Sequence, residues 1–263
     1  MTKNPGTARG APSSSAGPLA RHPTAGLVIA LLSLLAFALL TLNVLQQGPL
    51  TGFDNRTIDA LHAWAAHAPP LLTGLMRFGS SLGFYGVLGP IAVFAILWIA
   101  RRRWREFSML LLTAVGGQVV FDIIAALIHR PRPHFGDAFE GLTANSFPSG
   151  HVTSSLLLFG LLLYIYVPGI RSAAGRALLI LGGALLVAWI AFSRLYLGSH
   201  YPTDVIAGFA LGLGWGTLTV SALEAYWSTR RRPWIRGSSK PTTAPSATST
   251  TRTTSSGNTR KQS

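Results

Sequence analysis

The chain is 263 residues long, 49% hydrophobic and only 11% charged, with a formal net charge of +14 and no cysteine. Soluble domains carry about 25% charged residues, so this composition favours a membrane protein over a soluble globular one. Disulfides and thiolate metal sites are excluded, and nucleic-acid binding is disfavoured because the positive charges cluster between apolar runs and in the two tails.

Six apolar runs are long enough to cross a bilayer as helices. They cover 26–45, 84–100, 107–128, 152–167, 177–192 and 205–226. The sequence therefore predicts an all-α polytopic membrane protein with a transmembrane domain over 26–227. The first run is longer than the apolar core of a signal peptide, so it is predicted to be an uncleaved anchor. The flanking segments 1–25 and 228–263, rich in Gly, Ser, Pro, Thr and Arg, are predicted to be disordered tails.

Most of the positive charge lies on one side of the six predicted spans. An even number of spans places both tails on the same side, together with the arginine-rich loop 101–105. The positive-inside rule therefore predicts a multi-pass protein of the cell membrane with both tails in the cytoplasm. The segment 48–82 is then expected on the outer face. Within it, 53–67 has helical spacing and forms either a helix at the membrane interface or a solvated loop helix.

Polar residues collect in three stretches at the outer ends of the last four predicted spans. These are HRPRPH (129–134), PSGH (148–151) and SRLYLGSHYPTD (193–204). Charged groups at helix ends in a membrane are costly unless they serve a site, and guanidinium groups suit phosphate oxygens. The residues that the stretches are expected to bring to one extracytoplasmic face are Arg130, Arg132, His151, Arg194, His200 and Asp204.

The second and third stretches each predict a chemical role. Ser149 is a fitting N-cap, Gly150 lets the backbone approach a ligand, and His151 falls in the first turn of a helix whose N–H groups attract an anion. His200 and Asp204 are four residues apart, so the carboxylate is expected to bond one ring nitrogen and leave the other as base or nucleophile. Such a set suits phosphoryl transfer, which depends on positioning and charge neutralisation.

The three stretches resemble the signature of the type 2 phosphatidic acid phosphatase family, which also includes bacterial undecaprenyl-diphosphate phosphatases and vanadium haloperoxidases. The family pattern is Lys, six residues, Arg-Pro; then Pro-Ser-Gly-His; then Ser-Arg, five residues, His, three residues, Asp. The second part is complete at 148–151 and the third at 193–204, whereas Ala125 stands where the first part has lysine. The resemblance covers about 84–226. It implies a six-helix core with a phosphatase site at the outer ends of the last four helices.

The resemblance also implies a role for each matching residue. His200 is the expected nucleophile, which forms a phosphohistidine, Asp204 is expected to orient it, and His151 is the expected general acid. No cofactor and no metal are implied. The residues implied to bind the phosphate are Arg132, Arg194, Ser149 and Gly150.

The missing lysine and the other polar or glycine positions need their own interpretation. Ala125 offers neither charge nor a hydrogen-bonding group, so Arg130 or His129 is hypothesised to take the place of the lysine as a phosphate ligand. Asp122, an acid inside the third run, either marks a path or a partner or forms a hydrogen bond to a neighbouring helix, and the hydrogen bond is favoured. The close-packing positions predicted in the last span are Gly208, Gly212 and Gly214.

The expected function is an integral membrane enzyme that removes a terminal phosphate from a lipid phosphate or diphosphate. Undecaprenyl diphosphate is favoured, and phosphatidic acid and phosphatidylglycerol phosphate are the other candidates. The expected partners are thus a lipid substrate and the membrane, and not nucleic acid. One alternative is a lipid-phosphate binder or transporter that has lost activity with the lysine, and another is a haloperoxidase-like vanadate site. A zinc site is a further alternative, with the candidate ligands His129, His134, Asp137, His151 and His200.

Overall fold

The computed structural model describes residues 22–135 and 145–230, together with Leu19. Within those ranges the chain is helical, and strand pairing is limited to an isolated bridge between Pro131 and Asn145. The predicted disordered tails lie outside the described residues, apart from Leu19, residues 22–25 where a helix begins at Pro23, and residues 228–230 at the end of the helix that ends at Arg230.

Seven helices follow one another in the described ranges. They are α1 (Pro23–Leu45), α2 (Leu50–Ala65), α3 (Pro70–Ala100), α4 (Trp104–Leu127), α5 (Gly150–Tyr166), α6 (Ala173–Tyr196) and α7 (Pro202–Arg230). Every helix except α2 is long and apolar enough to cross a membrane, α5 together with the turn that follows it. The predicted all-α membrane protein with six spans is therefore confirmed.

The largest departure from the predicted spans is the start of α3. The apolar run begins at 84, but the helix begins at Pro70, where proline fits because a first-turn N–H has no partner in the helix. Arg77, Ser80 and Ser81 lower the apolar content of this first half, and all three line a cavity described below. The first turns of α3 are therefore missing from the predicted span because polar side chains that line a cavity reduce their apolar content.

The segment between α1 and α3 contains the short helix that its spacing predicts. α2 buries Asp54 and Ile58, which lie one turn apart on the same face, and exposes Phe53 and Trp64. The buried face packs against α6 and α7. Thus α2 brings an acidic side chain to the beginning of α7.

Glycines let α7 approach its neighbours closely, as the sequence predicts. A Cβ on Gly208 would lie 2.8 Å from the carbonyl oxygen of Ser149, and one on Gly214 would lie 2.9 Å from the side chain of Leu34 in α1. Gly212 faces α5 in the same way. Because α7 passes so close to Ser149, it fixes the position at which α5 begins.

A buried ion pair lies near the C-terminal end of α7. Glu224 is only 3% exposed and accepts hydrogen bonds from the guanidinium of Arg105 in α4 and, at 2.8 Å, from the phenol of Tyr164 in α5. A buried carboxylate requires such partners because its desolvation is costly. The cluster therefore ties α4, α5 and α7 together at this end of the bundle.

Candidate active site

A cavity of about 520 Å³ opens among α3, α4, α5 and the turn before α7, and it is called the polar cavity below. Among the residues predicted from the sequence, it is lined by His151, His200, Arg132 and Gly150. The other polar side chains that line it are Arg77, Ser80, Ser81, Gln118, Asp122, Asn145 and Ser154. The structure thus brings both predicted catalytic histidines to one cavity, and α3 contributes residues that the motifs do not contain.

The ring of His200 is oriented by a backbone carbonyl. Its Nδ1 lies 2.7 Å from the carbonyl oxygen of Ser146 and 3.7 Å from Oδ2 of Asp204. A carbonyl oxygen only accepts hydrogen bonds, so Nδ1 carries the proton and, in the neutral ring, Nε2 carries the lone pair. The expectation that Asp204 bonds this ring directly is therefore corrected. Ser146 fixes the tautomer, and Asp204 acts on the ring from a longer distance.

The PSGH stretch begins α5 at the wall of the polar cavity. Ser149 occupies the N-cap position, as predicted, but its hydroxyl makes no capping bond; instead its backbone N–H donates to the carbonyl of Asp204 at 3.0 Å. Gly150 and His151 form the first turn, whose N–H groups lack partners within the helix. A Cβ on Gly150 would lie 2.8 Å from the ring of Phe121, so this glycine is required by packing against α4.

The ring of His151 rests on a glycine of α3. A Cβ on Gly83 would lie 2.8 Å from Cδ2 of His151 and 2.8 Å from Cγ2 of Ile190. The ring centroid of His151 lies 6.2 Å from that of Phe84. The motifs gave no indication of Gly83, because its importance comes entirely from what packs against it.

The predicted arginines occupy three different places. Arg132 lines the polar cavity and donates to the carbonyl of Ser199 at 3.1 Å. Arg194 is fully buried behind the cavity wall and donates to the hydroxyl of Ser80, which does line the cavity. Arg130 is not among the residues lining the cavity, and its guanidinium binds carboxylates instead.

Arg130 bridges two fully buried carboxylates. Its Nη1 donates to Oδ1 of Asp204 at 2.5 Å and to the hydroxyl of Thr203 at 2.7 Å, and its Nη2 donates to Oδ2 of Asp54 at 2.6 Å. The guanidinium also lies 4.2 Å from the ring centroid of Tyr201, a cation–π distance. Burial raises the pKa of the Tyr201 phenol, so this ring stays neutral beside the cluster. The hypothesis that Arg130 replaces the missing lysine does not agree with this placement.

Ala125, at the position of the missing lysine, and His129 both lie away from the polar cavity lining. Ala125 is buried, and its carbonyl accepts a hydrogen bond from Asn145 at 2.7 Å. His129 is exposed and lines a separate cavity together with Arg130. Among the described residues, Arg77 of α3 lines the polar cavity as a second cation besides Arg132.

The structure also bears on the predicted hydrogen bond of Asp122 and on the zinc alternative. Asp122 accepts a hydrogen bond from Gln118 at 2.9 Å within α4 and lines the polar cavity, rather than bonding to a neighbouring helix. Among the described residues, no three His, Asp or Glu side chains come together in a way that could hold a metal ion. Of the residues considered for zinc, Asp137 lies outside the described ranges.

Similarity to known proteins identifies the family. Residues 105–228 match the PAP2 superfamily. Phosphatidylglycerophosphatase B from Bacillus subtilis is 30% identical over 147 residues, which cover 54% of this chain and 69% of that protein. The chain belongs to the PAP2 superfamily. The resemblance inferred from the motifs is thereby confirmed.

Other PAP2 proteins show the same relationship. Decaprenylphosphoryl-5-phosphoribose phosphatase from Mycobacterium tuberculosis is 31% identical over 162 residues, covering 60% of this chain and 82% of that one. The crystal structure of a transmembrane PAP2-type phosphatidylglycerolphosphate phosphatase from Bacillus subtilis superposes with a TM-score of 0.63 at 22% identity, covering 78% of this chain and 98% of that chain. At this identity the superposition shows a shared fold.

The part of the chain that precedes the PAP2 match also contributes to the site. Asp54, Arg77 and Gly83 all lie before residue 105, where the match begins. Asp54 could have been found as the acid one turn before Ile58 on the buried face of α2, and Arg77 as the charged residue within the half-polar first part of α3. Gly83 carries no signal of this kind.

Proposed function

We propose that this PAP2 membrane protein hydrolyses a lipid phosphate by forming a phosphohistidine on Nε2 of His200. The observation that carries the proposal is the 2.7 Å contact between Nδ1 of His200 and the Ser146 carbonyl, which leaves the lone pair on Nε2 of a ring that lines the polar cavity. His151 lines the same cavity and is proposed as the proton donor. The matched relatives bear the names of lipid phosphatases, which supports this class of reaction.

The reaction proceeds in two steps. Nε2 of His200 attacks the phosphorus in line, the bond from phosphorus to the lipid oxygen breaks, and His151 gives a proton to that oxygen. Water then attacks the phosphohistidine, with His151 taking the proton from the water, and inorganic phosphate is released as the nitrogen–phosphorus bond breaks. His151 therefore acts first as an acid and then as a base.

Binding of the phosphate rests on two arginines and one helix end. Arg77 lines the cavity from α3 and Arg132 from the segment between α4 and α5, and the first-turn N–H groups at Gly150 add the positive end of the α5 dipole. Arg77 is proposed to supply the charge that Ala125 does not. Arg194 and Ser149, both fully buried, are proposed to act from behind the wall, Arg194 by holding Ser80.

The charge of the cavity bears on the kind of lipid. Asp122 and its partner Gln118 line the same cavity as the two arginines. A carboxylate repels a second phosphate that is bonded directly to the first, as in a diphosphate, but accepts hydrogen bonds from hydroxyl groups. We therefore propose a phosphomonoester lipid with a hydroxyl-bearing headgroup, such as a glycerol or sugar phosphate, ahead of undecaprenyl diphosphate. With both tails in the cytoplasm, as the charge distribution predicts, the substrate would be reached from the extracytoplasmic leaflet.

The test is phosphate release by purified protein in detergent, with EDTA present. Phosphatidylglycerol phosphate, phosphatidic acid and undecaprenyl diphosphate are compared, with His200→Ala as the inactive variant and His67→Ala, an exposed histidine of the segment between α2 and α3, as the matched control. Turnover that is lost only in His200→Ala, together with a trapped phosphohistidine, supports the proposal. Folded protein that binds these lipids without releasing phosphate would instead indicate a binder or transporter.

A further inference from the structure

We infer that Asp54 and Arg130 are positioning residues of this site, which hold Asp204 and thereby His200 and the start of α5 in place. The inference rests on the proposed phosphatase function and adds to it two residues that do not contact the polar cavity. One of them, Asp54, belongs to α2 and precedes the PAP2 match. α2 therefore contributes a positioning residue to the site and does not only connect two spans.

Asp54 caps α7 from another helix. Its Oδ1 accepts a hydrogen bond from the backbone N–H of Thr203 at 3.0 Å, and its Oδ2 accepts from the Thr203 hydroxyl. Thr203 lies in the first turn of α7, where N–H groups lack partners and the helix dipole favours a negative charge. A carboxylate from α2 thus does what an N-cap residue normally does within its own helix. It fixes the position of α7 relative to α2.

Arg130 joins this cap to the carboxylate beside the nucleophile. Asp54 and Asp204 are each fully buried, and Arg130 lies between them with one nitrogen directed at each. Breaking a buried ion pair by removing one partner is strongly destabilising because an uncompensated charge remains. Removing Arg130 leaves the buried carboxylates of Asp54 and Asp204 without the guanidinium that binds them both. The carboxylate of Asp204 is then expected to move or to acquire water.

Asp204 links that movement to both halves of the site. Its Oδ2 accepts from the Tyr201 N–H at 2.9 Å and lies 3.7 Å from Nδ1 of His200, while its backbone carbonyl accepts from the Ser149 N–H at 3.0 Å. A shift of the Asp204 carboxylate therefore changes its contact with the nucleophile, and any accompanying shift of the Asp204 backbone moves the first turn of α5. Misplacement of reacting groups by about 1 Å can lower a rate about 100-fold without removing any group that touches the substrate.

The experiment measures kcat and KM per folded molecule for Arg130→Gln, Asp54→Asn and the double variant. Arg132→Gln serves as the comparison for a proposed phosphate ligand, and Asp59→Asn, an exposed acid of the same helix, as the matched control. We expect kcat to fall about 10-fold or more in each single variant with KM nearly unchanged, and the double variant to lose less than the product of the two single losses. Arg130→Lys should restore part of kcat, because it returns the positive charge.

Other outcomes separate the explanations. A rise in KM with unchanged kcat in Arg130→Gln, like that expected of Arg132→Gln, would make Arg130 a phosphate ligand and overturn the inference. Unchanged kcat in Asp54→Asn overturns it as well. If these variants do not fold, Thr203→Val, which removes only the bridging hydroxyl, decides: a lower kcat at unchanged KM supports the inference and an unchanged kcat refutes it. A wild-type protein without turnover refutes the proposed function itself, and the inference with it.

Discussion

Replacing Gly83 by alanine should displace the proposed proton donor without removing any charged or polar group. The added methyl would lie 2.8 Å from Cδ2 of His151 and from Cγ2 of Ile190, and 3.2 Å from Cβ of His151. Ordinary contacts lie at 3.4–4 Å, so the neighbours must move by at least about 0.6 Å. Ile190 is fully buried in α6 and resists displacement, so most of the movement falls on His151.

The expected loss of rate follows from the displacement of His151, which then protonates the leaving group less well. Overpacking a core by one methyl group costs about 1–3 kcal/mol, and a misplacement of about 1 Å lowers a rate about 100-fold. We therefore expect Gly83→Ala to lower kcat/KM, which reports the first step, by about 10-fold to 100-fold for a lipid phosphate, whose alkoxide leaving group needs a proton. For p-nitrophenyl phosphate, whose leaving group departs without protonation, we expect a much smaller loss of kcat/KM.

The assay compares kcat/KM for the two substrates in Gly83→Ala and in Gly74→Ala. Gly74 lies on the same helix, and a Cβ there meets nothing within 4 Å, so the control carries the same change in open space. An equal loss on both substrates, or the same loss in both variants, would refute the assignment of His151 as the proton donor held by Gly83.

Three further predictions address charge and backbone geometry. Arg77→Gln should raise KM for a lipid phosphate about 10-fold, as Arg132→Gln should, since each removes one cation from the cavity; an unchanged KM would exclude Arg77 as the substitute for the lysine. Gly198→Ala should lower the free energy of unfolding by about 1–2 kcal/mol in a detergent melt, because Gly198 has φ +66 and its Cβ would lie 3.1 Å from Cβ of Phe135. Asp122→Asn should raise the kcat/KM for undecaprenyl diphosphate relative to phosphatidic acid, which has a single phosphate, because it removes the negative charge that repels a second phosphate; an unchanged ratio would contradict the proposed substrate class.

The sequence predicted the parts of this protein that depend on local pattern. Six apolar runs gave the six spans, and the PSGH and Ser-Arg-His-Asp spacings identified the two histidines that meet in one cavity. The start of α3 was missed because the residues that make it useful to the site, such as Arg77 and Ser80, are the ones that lower its apolar content. A search for apolar runs thus excludes the polar part of a spanning helix, which is the part that contributes to the site.

What the sequence could not predict is where side chains of the same type point. Arg130 and Arg132 are two residues apart in one stretch, but one binds two buried carboxylates and the other lines the cavity. The difference is set by Asp54, which approaches from a helix 76 residues earlier in the chain. The sequence likewise indicates Asp204, and not Ser146, as the group that sets the tautomer of His200. A backbone carbonyl such as that of Ser146 carries no sequence signal.

The two buried carboxylate clusters on α7 bear on how the protein responds to its bilayer. Near one end of this helix Asp204 is held by Arg130, and near the other end Glu224 is held by Arg105 and Tyr164. A helix fixed at both ends cannot slide along its axis when the hydrocarbon thickness changes. The bundle must then adapt to a thinner or thicker membrane by tilting as a unit. The distance between the nucleophile and the start of α5 is therefore expected to stay constant across membranes of different lipid chain length.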